Sequence, residues 1–183
     1  METKPDSSKD WKGFFLKFQK ESPRAAAILG VAFLDVQLRQ LISNLLIDET
    51  NVVDELLGND KKIDRPLSSF SSRIRAAYCL GLISKDEYED LNIIRKIRNR
   101  FAHRLHDLSF DDHEIVSWCK TLRIPKELLK AVDWPQSPKN LFLVCVSTLA
   151  TRIPLRALKI AKERRAVPRG FELAEVVKAT NES

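Results

Sequence analysis

Glycine and cysteine are scarce in this chain of 183 residues, and both shortages restrict its possible folds. Only 5 glycines stand against 8 prolines, and strong runs of alternating Val, Ile and Thr are missing, which disfavours sheet-rich folds that need many glycine turns. The three cysteines are an odd number, widely spaced and set among apolar neighbours, so we expect packed, reduced thiols: Cys79, Cys119 and Cys145. The sequence therefore predicts an all-α fold without a disulfide framework.

Long apolar runs are also missing. The longest nearly apolar runs, residues 25–34 and 141–150, are about half as long as the roughly 20 residues that span a bilayer. The first ten residues are polar and lack the apolar stretch of a secretory signal. With 44% hydrophobic residues the chain is expected to fold, and we expect no transmembrane helix and a cytoplasmic location.

Apolar spacing, caps and helix breakers predict a helical bundle in three parts. Residues 1–21 are predicted to form an amino-terminal helical arm whose apolar stripe is Trp11, Phe14, Phe15 and Phe18. Residues 22–166 form the predicted helical core domain, and residues 167–183 a polar tail.

Within the core domain, Ser22-Pro23 predicts a helix start, and Ser84 with Glu87 predicts a capping box. We expect a bend at Pro154 in the last helix. The predicted helices cover residues 24–47, 51–57, 66–80, 85 to 104 or 105, a start at 109 or 111, 125–132 and 137–165.

The net charge of +6 is concentrated in residues 151–170, where seven cations oppose Glu163 alone. Such a basic carboxyl-terminal helix can bind phosphates, or its cations can simply complement the helix dipole and cover apolar surface with their stems. The candidate nucleic-acid-binding residues are Arg100, Arg104, Arg152, Arg156, Lys159 and Lys162.

The run Arg98-Asn99-Arg100-Phe101-Ala102-His103 concentrates groups that could carry chemistry. A histidine can move a proton near neutral pH and an arginine can hold a phosphate through two contacts, which suits phosphodiester cleavage without a metal. Arg98 falls among apolar positions, so we expect it to be paired and partly buried or to face a partner chain. The same side chains could instead brace the end of the helix.

A metal-dependent hydrolase is a weaker interpretation. Imidazole and carboxylate groups are good metal ligands. The residues that could supply them are His103, His106, Asp107, Asp111, Asp112 and His113. Two of these carboxylates are better explained as helix caps, so neither a metal nor another cofactor is predicted.

The segment 66–112 resembles the mannitol operon repressor family of bacterial helical proteins. The resemblance rests on SSRIRAAYCLGLI at 71–83, EYEDL at 87–91 and RNRFAH at 98–103, and the family pattern covers most of 24–161 in helix order. It implies a helical regulator of transcription, although no segment predicts a helix-turn-helix with a recognition helix.

Arg98, Asn99 and His103 also resemble the Arg-Asn-x-x-x-His signature of the HEPN superfamily. That resemblance implies a homodimer in which both motifs line one cleft, with metal-independent cleavage of RNA in toxin-antitoxin or antiviral systems. Arg98 would hold the phosphate, His103 would transfer a proton and Asn99 would orient one of them.

The sequence therefore favours a dimeric, metal-independent endoribonuclease with RNA as its substrate and a possible antitoxin or regulatory protein as partner. The alternative is a non-enzymatic regulator of transcription that works through protein partners.

Overall fold

The computed structural model describes residues 18–58, 64–104, 108–130 and 135–168, and within them the regular structure is helical. This confirms the predicted all-α fold. Residues 18–20 are helical as well. The helices that follow are α1 (Pro23–Leu45), α2 (Thr50–Leu57), α3 (Phe70–Cys79), α4 (Lys85–His103), α5 (His113–Thr121), α6 (Arg123–Leu129) and α7 (Pro138–Ile160), and a 3-10 turn (Ala161–Glu163) extends α7.

Serine side chains fix where the three longest helices begin. Ser22 and Ser137 each precede a proline, and each hydroxyl accepts a hydrogen bond from the backbone amide three residues later. Ser84 and Glu87 form the predicted capping box, in which the Ser84 amide donates to Glu87 Oε2 at 2.8 Å and the Glu87 amide donates to Ser84 Oγ at 3.2 Å. Local sequence chemistry thus decides these helix starts.

Several predicted helix limits were wrong by a few residues. The helix predicted from 66 begins at Phe70 because Ser69 is its cap, and the helix predicted from 125 begins at Arg123. Asp112, rather than residue 109 or 111, caps α5. The last helix ends at Ile160 with Pro154 inside it.

Helices α1, α4 and α7 form the centre of the molecule. Asn44 Nδ2 donates to the Ala157 carbonyl at 2.9 Å and Lys139 Nζ donates to the Gln19 carbonyl at 3.2 Å, so α1 and α7 run side by side in the same direction. Helix α4 runs the opposite way, since Glu87 near its start contacts Arg156 near the end of α7, and Asp90, about one turn later, contacts Cys145, nearer the start of α7. The shorter helices α2, α3, α5 and α6 surround this trio.

The close approach of α1 to α7 depends on Gly30. A Cβ at this position would lie 2.9 Å from Phe18 Cζ and 3.2 Å from Val146 Cγ1, which is too close for either contact without movement. Phe18 itself is buried in the core. The rest of the predicted arm, with Trp11, and the tail beyond residue 168 lie outside the described residues.

By length and composition, α1 and α7 could each cross a membrane, although the short apolar runs in the sequence predict no transmembrane helix. However, 44% of the apolar window around α1 and 50% of that around α7 is buried inside the bundle. Core helices of soluble proteins meet the same two criteria, so length and composition here are weak evidence for a membrane span.

The three thiols are free, but they do not share one environment. Cys119 and Cys145 are buried, as expected for packed thiols, whereas Cys79 is exposed. The expectation was wrong for Cys79 because it lies in the last turn of α3, on a side that no neighbouring helix covers.

Candidate functional site

The residues of the Arg-Asn-x-x-x-His run occupy the last two turns of α4. Arg98 Nη1 donates to Asn99 Oδ1 at 3.1 Å, and both Arg98 and His103 are exposed. Of the two alternatives expected for Arg98, partial burial is not observed, because the residue is exposed and lines an open pocket, and its contact with a partner chain stays a prediction.

That pocket, of about 430 Å³, lies where α4 faces α1 and the start of α3. We refer to it as the α1–α3–α4 pocket. It is lined in part by Arg98 and Asn99, whereas His103 is not among the residues that line it. The structure therefore brings two of the three predicted catalytic residues together and leaves the histidine apart from them. This follows from the helix geometry, since Arg98 and His103 are five residues apart and about 140° around the axis.

Asp35 and Arg73, which the sequence analysis did not single out, form a charged pair next to this pocket. Arg73 is buried, with Nη1 2.7 Å from Asp35 Oδ1, and it also donates to the backbone carbonyls of Leu67 and Leu57. Burial raises the pKa of Asp35, and the charges of Arg73 and Arg98 oppose that rise. The sequence does contain a signal for this pair, since Asp35 and Arg73 are charged residues at otherwise apolar positions of their helices.

Two cations of the predicted nucleic-acid-binding set are engaged with helix α5. Arg100 forms an ion pair with Glu114, and Arg104 Nη1 lies 4.0 Å from a carboxylate oxygen of Asp112. These contacts hold the end of α4 against the beginning of α5, so they give both arginines a structural role.

Two more cations of the set converge on Glu87 at the start of α4. Arg156 Nη1 donates to Glu87 Oε2 at 2.7 Å and Arg156 Nη2 to Glu87 Oε1 at 3.1 Å, while Arg152 Nε lies 3.6 Å from Glu87 Oε1. Burial alone would raise the pKa of Glu87, but the hydrogen bonds from Arg156 and the Ser84 amide lower it below its usual value. Arg156 thereby ties α7 to α4.

The other two predicted cations are exposed: Lys159 lies in the last turn of α7 and Lys162 in the 3-10 turn that extends it. They share one side of the helix with two exposed apolar side chains, Leu155 at 63% and Leu158 at 70% exposure. Arg152 extends this side toward the middle of the helix. We refer to these five residues as the α7 face. It combines apolar and basic groups and is solvent-exposed in the described part of the chain.

Asp90 is a second carboxylate that the sequence analysis did not identify. It is completely buried and accepts hydrogen bonds from the Arg123 and Ile124 amides at the start of α6, and Cys145 Sγ lies 3.3 Å from it. Burial raises its pKa despite these hydrogen bonds. The arrangement joins α4 to α6 and α7 in the interior, so Asp90 is part of the framework and has no access to substrate.

Metal binding finds no geometric support within the described ranges. There, no three or more His, Cys, Asp and Glu side chains cluster as a metal site would require. Two residues of the metal hypothesis, His106 and Asp107, lie outside those ranges.

Comparison with known proteins gives one consistent family. Residues 19–163 match the family described as "MtlR: Mannitol repressor". The "Mannitol operon repressor" proteins of Escherichia coli strains K12 and O6:H1 are each 36% identical over 53 residues, which is 29% of this chain and 27% of the length of those relatives. A chain in the X-ray structure of the MtlR-HPr complex from Escherichia coli has a TM-score of 0.63 at 19% identity, over 78% of this chain and 97% of that one.

These matches overturn the prediction of an endoribonuclease. They favour the regulatory alternative, and they give no support to the HEPN resemblance, to a toxin or antiviral role, or to RNA as a partner. The resemblance of residues 66–112 to the mannitol operon repressor family is confirmed. Because the family match spans most of the chain, this protein belongs to the mannitol repressor family.

Proposed function

We propose that this chain is a non-enzymatic, cytoplasmic regulator of transcription that acts by binding a protein partner. The observation that carries the proposal is the match to the mannitol repressor family over residues 19–163, which includes every helix from α1 to α7. The sequence predicts no helix-turn-helix, so we propose that any effect on DNA is indirect.

We further propose an HPr-type protein as the partner. The solved structure with the same fold contains MtlR in a complex with HPr, which makes HPr the first partner to test. The shared fold covers nearly the whole of the compared chain, so no large part of that architecture is missing here.

The α7 face is the proposed contact surface. Its two exposed leucines offer apolar area of the kind that forms the centre of an interface, and the surrounding cations Arg152, Lys159 and Lys162 would favour a partner with acidic groups at the rim. Glu87 contacts both Arg152 and Arg156, which fixes this part of α7 against α4 before a partner binds. Exposure and charge together thus support this side of α7.

Calorimetric titration of the full chain with purified Escherichia coli HPr tests this proposal. We expect binding that weakens with added salt, and a loss of about tenfold or more in affinity in a Leu155→Ser/Leu158→Ser variant, because central apolar contacts carry much of the binding energy. A Lys159→Glu/Lys162→Glu variant should also bind more weakly. The matched control is Lys96→Glu, which reverses an exposed charge on α4 and should leave the affinity unchanged.

The outcomes separate the partner from the surface. Absence of binding by the folded wild-type chain would contradict the HPr-type partner. Binding that the α7 variants and the Lys96 control share equally would contradict the α7 face while leaving the partner in place. Circular dichroism of each variant ensures that lost binding does not reflect lost helix. The homodimer stays a prediction, which sedimentation equilibrium of the same sample measures.

A further inference from the structure

The α1–α3–α4 pocket contains two arginines whose charge no described carboxylate neutralises by an ion pair. Arg73 is committed to Asp35, but Arg95 and Arg98, one turn apart on α4, have no such pairing with a described residue. Arg98 uses one nitrogen to reach Asn99 Oδ1, and Arg95 Nε is buried without a hydrogen-bond partner. Buried donors in native proteins are normally satisfied, so this one unpaired nitrogen of Arg95 is a donor that a ligand in the pocket could satisfy.

The start of α3 borders the same pocket. Ser69, Phe70 and Ser71 all line it. The Ser72 amide donates to Ser69 Oγ and the Arg73 amide to the Ser69 carbonyl, which leaves the Phe70 and Ser71 amides without a partner among the described residues. Unpaired amides in the first turn of a ten-residue helix favour an anion.

Size and charge define the class of ligand. About 430 Å³ is within the range of small-molecule sites and leaves room for more than a single inorganic ion. Two guanidinium groups without an ion-pair partner among the described residues match the charge of about −1.5 to −2 that a phosphomonoester carries at pH 7, and arginine binds phosphate oxygens through paired N–H groups. A carboxylate ligand would neutralise only one of the two.

We propose that this pocket binds a small phosphomonoester, with Arg95 and Arg98 holding its phosphate and the Phe70 and Ser71 amides completing the anion site. Asp35, at the α1 side of the pocket, repels a second anionic group there and accepts hydrogen bonds from hydroxyl groups on the rest of the ligand. The site is an effector site on a binding protein. This inference does not rest on the HPr-type partner.

The test is calorimetric titration of the full chain with inorganic phosphate and with glycerol 3-phosphate, at constant ionic strength maintained with sodium chloride. Both probes should give saturable binding below about 10 mM, a weak affinity suited to such small ligands. Glycerol 3-phosphate should bind more tightly, because its hydroxyl groups can reach Asp35. The Arg98→Gln variant should lose at least about tenfold in affinity for both probes, the loss expected for a charge-assisted pair of hydrogen bonds.

The control is Lys96→Gln, which removes a positive charge from an exposed residue of the same helix outside the pocket and should bind like the wild type. Because Arg98 is exposed, its replacement leaves the core intact, and circular dichroism checks this. The proposal is overturned if neither probe binds saturably, or if Arg98→Gln and Lys96→Gln weaken binding equally, which would indicate general charge attraction. Binding of phosphate with no gain for glycerol 3-phosphate would overturn the assignment to an organic phosphate.

Discussion

The contact between Glu87 and Arg156 allows a sharp test of how the bundle is held together. Glu87 is 1% exposed and does two things at once: it closes the capping box of α4 and accepts two hydrogen bonds from Arg156 of α7. Arg152 lies one turn earlier on α7 and approaches the same carboxylate, but it is 53% exposed and its Nε is 3.6 Å away. The two arginines are therefore a matched pair that differs in burial and geometry.

We expect Arg156→Ala to destabilise the protein far more than Arg152→Ala. Removing one partner of a buried ion pair costs about 3–5 kcal/mol, and partial exposure of Arg156 together with the remaining Arg152 reduces this to about 2–3 kcal/mol. The Arg156 side chain also donates to the Leu82 carbonyl, which would lose that donor. Arg152→Ala should cost no more than about 1 kcal/mol, as exposed ion pairs do.

Urea unfolding followed by circular dichroism at 222 nm measures both changes. Thermal unfolding should agree, with a midpoint lower by about 4–12 °C for Arg156→Ala at this chain length. A double-mutant cycle with Glu87→Gln, which keeps the shape of the side chain and removes its charge, isolates the pairwise energy. If Arg152→Ala proves as costly as Arg156→Ala, or if Arg156→Ala costs less than about 1 kcal/mol, the reasoning from burial is wrong.

The pH dependence of the folding stability gives an independent check on the contribution of Glu87. Because the pKa of Glu87 is lower in the folded protein, its contribution to stability is fully present above the unfolded value of about 4.3 and is lost as pH falls through the folded pKa. Asp35 and Asp90 have raised pKa values, so their contributions are instead fully present below the unfolded value of about 3.9 and are lost as pH rises through their folded pKa values. The stability difference between the wild type and Arg156→Ala should therefore shrink below about pH 4.

Three further predictions concern the interior. Asp90→Ala should cost about 2–4 kcal/mol in urea unfolding because two backbone amides of α6 lose their acceptor. Asp90→Asn keeps an acceptor oxygen and should cost clearly less. Equal costs would contradict the role of Asp90 as acceptor for these amides. Gly30→Ala should destabilise by about 1–2 kcal/mol, since the new methyl group would stand 2.9 Å from Phe18 Cζ and 3.2 Å from Val146 Cγ1. An unchanged unfolding midpoint would show that these two side chains move aside easily. In the native protein a thiol reagent should modify Cys79 rapidly and leave Cys119 and Cys145 unmodified. The reason is that burial raises the pKa of Cys119 to about 12 and the pKa of Cys145 well above its usual range. Rapid reaction of all three thiols without denaturant would contradict the buried positions.

The fold could be predicted from sequence where local chemistry decides the structure. Ser22-Pro23 and the capping box at Ser84 were read correctly because a cap is satisfied by residues within one turn of it. The start of α3 was misplaced because Pro66 is also compatible with a helix start, and the competing cap, Ser69, wins through its bond to the Ser72 amide. Such choices between neighbouring caps depend on tertiary packing as much as on propensity.

The site could be predicted much less well, because its residues come from three helices that are distant in sequence. Arg98 and Asn99 were recognised from a local run, and Arg95 lies one turn earlier on the same helix, but Asp35 and the start of α3 enter the same pocket only through packing. A short run of chemically suitable residues also suggested an enzyme, and helix geometry then separated Arg98 from His103. Spacing along one helix predicts which residues share a face, and it does not predict what that face meets.

Three charged residues at apolar helix positions illustrate this point. By spacing alone, Arg73, Asp90 and Arg98 are equivalent, since each lies three or four residues from buried apolar neighbours. Arg73 and Asp90 are buried because a carboxylate or backbone donors from other helices satisfy them, whereas Arg98 remains exposed at a pocket. A charge that interrupts an apolar stripe therefore indicates either a buried pair or an open pocket. The distinction is whether a neighbouring helix supplies a complementary charged group, and at Arg98 none of the described helices forms an ion pair.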